Sequence, residues 1–147
     1  MRSWAKRAMA CAARLGSHRR GWAVTAIEFL HSRASNQGLK ISAVVADLEK
    51  DEFNIEPSRW DLILKLYYLQ RDLFEPAKRG VVPGGILISI VHLNEPGEGD
   101  GPFRLRPGQM EKYFSGWEIL HLREGKANDP AHRRAVAEIV ARRPVIC

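Results

Sequence analysis

The sequence predicts an α/β domain built on a mostly parallel sheet, and three observations carry that prediction. Short apolar runs at Ile41 to Ala46, Asp61 to Leu66 and Ile86 to Val91 are separated by segments of helical or loop character, the alternation that builds parallel sheets. Polar residues or tight turns accompany these runs: Asp47-Leu48-Glu49 after the first, Tyr67 to Arg71 after the second, Pro83-Gly84-Gly85 before the third. Near the C-terminus, Trp117 to Leu122 and Ala135 to Ala141 are joined by a stretch, Arg123 to Arg134, too hydrophilic for a buried crossover helix, so an antiparallel hairpin is expected there. Parallel strands that deliver polar residues at one end make a crevice, and ligands of open α/β sheets bind at that carboxyl edge.

The elements follow in order. Trp4, Ala8, Cys11, Ala12 and Leu15 recur at three- and four-residue steps, which predicts an amphipathic helix stopped at Gly16-Ser17. Trp22 to Ile27 is a short strand ending at Glu28, and Phe29 to Gln37 is a helix closed by Gly38. Ile41 to Ala46 is apolar enough for a strand buried on both faces. A polar loop with Pro57 leads to the strand Asp61 to Leu66, and a helix is expected from Leu69 to about Val82 despite Pro76. Pro83-Gly84-Gly85 turns the chain into the buried strand Ile86 to Val91, and Asn94 to Pro102, rich in Gly and Pro, is a loop. Pro107 suits the first position of a helix whose apolar face is Met110, Tyr113 and Phe114.

Composition bounds the function classes. At 147 residues, 45% hydrophobic and 27% charged, the chain suits one ordinary domain, and no stretch has the length of a membrane helix. The net charge of +6 resides in the head: up to Arg20 there are six basic residues and no acidic one, leaving 17 basic against 17 acidic residues beyond it. A nucleic-acid partner is therefore not expected of the domain. Cys11 and Cys147 lie near opposite ends and read as free thiols of a cytoplasmic protein. The five histidines, His18, His31, His92, His121 and His132, have no metal-ligand spacing, so no metal is expected. There is no nucleophile elbow or Walker-type loop, and Gly97 to Gly101, with two acids among its glycines, suits a mobile loop rather than a phosphate cradle.

From about Gly21 to Pro144 the chain resembles the class I S-adenosylmethionine-dependent methyltransferases, in particular the small tellurite-resistance type. The resemblance rests on Gly21 to Glu28 as the second strand, Val45-Ala46-Asp47-Leu48, Trp60 to Leu64 followed by Tyr67 to Arg71, Pro83-Gly84-Gly85, Arg104 to Met110 and Trp117 to His121. It implies a Rossmann-like methyltransferase sheet, which differs from an ordinary dinucleotide-binding sheet in its C-terminal antiparallel hairpin. It also implies that Glu28 takes the ribose hydroxyls of S-adenosylmethionine, that Asp47 accepts from the adenine amino group, and that the backbone N–H of Leu48 reaches a ring nitrogen. Tyr67, Gln70 and Arg71 then fall on the side of a small-molecule acceptor, Gln70 standing where the family often has His. No residue is singled out as catalytic.

Two places differ from the family pattern. Ala10 to Gly16, where an acidic residue and a glycine-rich loop belong, has one glycine and no acid, and Ser89-Ile90-Val91-His92 lacks the acidic residue often found after the fifth strand. The first strand is accordingly expected to be missing. The chain divides into a basic amphipathic head, 1–20, and a truncated methyltransferase-like domain, 21–147, with the lost strand and turn encoded upstream of the Gly21 codon. Strand edges left unpaired would favour self-association. Two functions stay open: methyl transfer to a small acceptor, or a non-catalytic remnant that serves as an interaction module or has no activity.

Overall fold

The computed structural model describes residues 8–12, 31–38 and 48–146. Two compact units divide the chain, one made of Met1–Ala13 with Ile55–Cys147 and the other of Arg14–Asn54. In the smaller unit residues 31–36 are helical. Gln37 N–H donates to the Ala34 carbonyl and Gly38 N–H to that of Ser35, both at 3.1 Å, with Gly38 at φ +68°. The C-cap read from the sequence is therefore present. A 3₁₀ turn covers Leu48–Lys50. The expected strands Trp22 to Ile27 and Ile41 to Ala46, with Glu28 and Asp47, lie outside the described residues.

The larger unit holds a five-stranded sheet: β1 (Ala8–Ala12), β2 (Trp60–Leu66), β3 (Val81–His92), β4 (Glu118–Lys126) and β5 (Ala135–Arg142), in the order β1-β2-β3-β5-β4. β1, β2 and β3 run parallel, and β5 is antiparallel to both β3 and β4. The mostly parallel sheet and its closing hairpin are as expected.

The head is a correction. Residues 8–12 are not part of an amphipathic helix, and the first strand is not missing: Ala8 to Ala12 pairs in parallel with Leu62 to Leu66. Ala-Met-Ala-Cys-Ala leans by intrinsic preference towards helix. The free backbone edge of β2 decides, because tertiary pairing overrides a modest propensity.

Burial alternates along the strands. Ile63 and Lys65 of β2, Leu87, Ser89 and Val91 of β3, and Ala137, Ile139 and Ala141 of β5 are buried, while Leu62, Leu64, Ile86, Ile88 and Ile90 between them are half-buried. So Ile86 to Val91 is not buried equally on both faces. A 3₁₀ turn, Arg71–Leu73, leads into the helix Phe74–Gly80, which contributes the buried Phe74 and Ala77. Phe74 stacks on Tyr113 at 4.3 Å and meets Phe114 edge-on at 6.0 Å, and the Lys65 ammonium lies 3.5 Å from the centre of the Phe74 ring, a cation–π contact.

Two helices are shorter than expected. The one after β2 starts at Phe74, because Gln70 is extended and the chain re-enters helical geometry through the 3₁₀ turn Arg71–Leu73, and it ends at Gly80 because Val81 is extended and pairs with Trp60. Pro76 falls in its first turn, where a missing N–H costs nothing. The Pro107 helix is a 3₁₀ turn, Met110–Phe114, since Gly108 at φ +77° breaks the chain's helical course. Pro83-Gly84-Gly85 does not precede β3 but lies inside it, as a bulge between the pairs Trp60–Val81 and Leu62–Ile86. Gly84 has φ +80°, and a Cβ on Gly85 would lie 2.9 Å from the Asp61 carbonyl oxygen.

Candidate functional site at the carboxyl edge

The parallel strands point their carboxyl ends to one edge, where β3 runs two residues beyond the partner of Leu66. Ala12 is opposite Leu66, and Leu66 is opposite Ile90. Tyr67 follows β2 in a left-handed conformation, with its N–H bonded to the Ile90 carbonyl at 2.7 Å. His92 ends β3. Because β5 is antiparallel and His92 pairs with Val136, the loop that enters β5 arrives at the same edge and brings His132.

These three side chains form a cluster. The Tyr67 ring stacks on His132 at 3.5 Å between centres and 7° between planes, and it lies 5.5 Å from the His92 ring. His92 Nε2 and His132 Nδ1 are 3.1 Å apart, so one carries the proton and the other accepts it. His132 Nε2 is 4.0 Å from an Asp129 carboxylate oxygen. Burial first, then His132, Arg134 and Arg104, hold the His92 imidazole below its ordinary pKa. Burial, then Asp129 and Glu138, raise the Tyr67 phenol. At neutral pH both groups are therefore uncharged, and His92 offers a lone pair.

A cleft of about 370 Å³ opens beside His92, lined also by Pro102, Phe103, Arg104 and Arg134. Glu98 accepts from Arg134 Nη1 at 2.7 Å and Arg104 Nη1 at 3.3 Å. The Arg134 bond first, then one from the Glu95 N–H, with the charge of Arg104 behind them, hold its carboxyl below the usual range. Asp100 pairs with Arg106. The segment Gly97 to Gly101, read from the sequence as mobile, is thus tethered at both acids. Its charged partners lie outside the segment, where a local reading does not find them.

Among the residues expected at the site, Tyr67 joins the histidine cluster. Gln70 accepts a 2.5 Å hydrogen bond from the buried Tyr68 hydroxyl. Arg71 donates to the carbonyls of Gly101, Pro102 and Arg104 at 3.4, 3.1 and 2.8 Å, so it fixes the wall of the cleft, and it lines a second cleft of about 590 Å³ with Asp100 and Arg106. Leu48 belongs to the smaller unit, half-buried at the head of its 3₁₀ turn. His92 and His132 were not expected as a pair. The signal was available: a hairpin antiparallel to the strand that ends at His92 brings residues just before Ala135 to its side.

Strand order, the parallel run and the reversed β5 together define the class I, Rossmann-like methyltransferase fold, and solved structures agree. The chain is similar to TehB from Haemophilus influenzae (TM-score 0.64, 18% identity, 91% of this chain and 49% of that one). It is also similar to an S-adenosylmethionine-dependent methyltransferase from Mesorhizobium loti (TM-score 0.58, 16% identity, 93% and 90%) and to the [4+2]-cyclase SpnF (TM-score 0.62, 14% identity, 96% and 76%). The chain thus spans about half the length of the TehB chain. No protein-family model and no curated protein matches the sequence, and at these identities the likeness is one of fold.

Proposed function

We propose that this chain is an S-adenosylmethionine-dependent, methyltransferase-like protein of the cytoplasm that methylates a small molecule at the carboxyl edge of its sheet. The observation that carries the reading is the shared carboxyl edge of the parallel strands β1, β2 and β3 beside Tyr67, His92 and the cleft. Such an edge is where open α/β sheets take their ligands, and it fits a nucleoside donor lying across the strands. When bound, S-adenosylmethionine supplies an electrophilic methyl group. The protein's share is to hold donor and acceptor in line. Glu28, Asp47 and the Leu48 backbone are the proposed donor contacts. Tyr67, Gln70 and Arg71 belong to the acceptor side, Arg71 through the cleft wall it fixes. Leu120 and Leu122, exposed on the edge strand β4, support self-association through that edge.

Calorimetry with S-adenosylhomocysteine on the full chain tests the reading. Binding is expected, and Glu28→Ala and Asp47→Ala should each weaken it by about one to two decades, the loss of a charged hydrogen-bond partner. Unchanged affinity in a folded variant would mean that these anchors are misassigned. A second reading, a non-catalytic module, is favoured by the single glycine and missing acid of Ala10 to Gly16. A wild-type chain that binds no donor would establish it over the first.

A further inference from the structure

We infer that the His92–His132 pair is a proton-accepting site, and that the adjoining cleft takes a small, negatively charged acceptor whose methylated atom first bears a removable proton, such as a thiol or phenol. The inference rests on the methyl-transfer reading for the fate of that acceptor, but the proton chemistry stands on the pair itself.

With His92 Nε2–H donating to His132 Nδ1, the lone pair of His92 is on Nδ1 and the remaining proton of His132 is on Nε2. His92 lines the cleft, and His132 does not. A proton leaving the acceptor's X–H bond therefore lodges on His92 Nδ1, and the bonding electrons stay on X as the nucleophilic lone pair. The Nε2 proton of His92 then crosses the 3.1 Å hydrogen bond to His132 Nδ1. His92 is left neutral, and His132 is the imidazolium.

The two rings differ in their surroundings. His92 sits near Arg104 and Arg134, which disfavour a cation there. At His132 the Asp129 carboxylate is 4.0 Å from Nε2 and the Tyr67 ring face is stacked 3.5 Å away. The other carboxylate near the cluster is Glu138, which acts on Tyr67 and is paired with Arg123.

The same surroundings set the class of acceptor. Two guanidiniums that line the cleft, Arg104 and Arg134, share the carboxylate of Glu98, with Glu95 acting on Arg134 from further away, and their remaining N–H donors suit an acceptor that carries a carboxylate. Phe103, 46% exposed, supplies an apolar wall.

The test uses the full chain with isotope-labelled histidine, without donor, at neutral pH. The probes are 4-mercaptobenzoate and its S-methyl ether, 4-(methylthio)benzoate. The thiol acid is expected to move the His132 ring signals, with a smaller movement at His92, towards imidazolium positions. The ether, which has the same carboxylate but no sulfur anion to pair with a protonated histidine, should bind without that movement. His92→Gln should abolish the movement, and Arg134→Gln should weaken both probes about tenfold, as for one lost charged hydrogen bond. Equal movement with both probes, or none with the thiol acid, would overturn the inference, and this comparison needs only the wild-type chain. Failure of S-adenosylhomocysteine to bind in calorimetry would instead remove the methyl-transfer reading while leaving the histidine result in place.

Discussion

Tyr67 holds a left-handed backbone, φ +56°, at the hinge between β2 and the site. A residue with a Cβ pays roughly 1–2 kcal/mol for that conformation, and glycine does not. Tyr67→Ala removes the ring but keeps the strain, whereas Tyr67→Gly removes both. The ring's stack on His132 is lost equally in the two variants and cancels in their comparison. Glycine gives back roughly 0.4–1 kcal/mol through the greater freedom of its unfolded chain. The glycine variant should therefore be more stable than the alanine variant by about 0.5–1 kcal/mol, and the alanine variant falls below the wild type, which keeps an aromatic contact of roughly 0.5–1.5 kcal/mol. Urea denaturation measures this as a higher midpoint at unchanged slope, and calorimetry as a melting temperature about 1–4 °C higher. An alanine variant as stable as the glycine variant would show that Tyr67 is not strained, and that its placement comes from the ring contacts alone.

Two further outcomes follow from packing and charge. In Gly80→Ala the new methyl would stand 2.5 Å from Ile55 Cγ2 and 3.2 Å from Ile63 Cδ1. Overpacking of about 1–3 kcal/mol should exceed the roughly 1 kcal/mol gain in helix propensity, and a double-mutant cycle with Ile55→Ala should recover part of the loss. No coupling in that cycle would refute the clash. For His92, whose folded-state pKa lies below the ordinary imidazole value of 6.5, the unfolded chain binds more protons between the two values. Stability should then fall as pH drops through 6.5 to the folded value and level off below it. His92→Gln should flatten that stretch of the urea-midpoint profile, while the losses from Glu98 and Glu138, whose carboxyls are held below 4.5, remain at lower pH. An unchanged profile would mean that another group titrates there.

Much of the fold is legible because its signals are local. Asp61 to Leu66, Ile86 to Val91 and the closing hairpin are runs of strand-like residues bounded by turns, and Gly38 marks a helix end through its own backbone freedom. β1 is illegible for the opposite reason: Ala-Met-Ala-Cys-Ala becomes a strand only because β2 offers an edge. Gly84 and Gly85 look the same in a turn and in a bulge, and only the pairing of Leu62 with Ile86 distinguishes them. The site is less legible still. His92 and His132 are separated by 40 positions, and no spacing rule joins them. Glu98 likewise finds Arg134 across the loop that precedes β5. Tyr67 is visible from the sequence as a strand-end residue, but its neighbours are set by sheet order.

The reversal of β5 has a consequence for how such a protein can change. Strand exits, those after Leu66 and His92 among them, share their edge with one strand entrance, the eight residues between Lys126 and Ala135. An exit segment is committed in both directions, since it must also carry the chain to its next crossover. The entrance only closes a hairpin, and its length and residues can vary without moving any strand. One wall of the cleft is therefore replaceable as a cassette. Exchanging those eight residues for another hairpin loop would reshape the acceptor side while the parallel strand ends stay as they are.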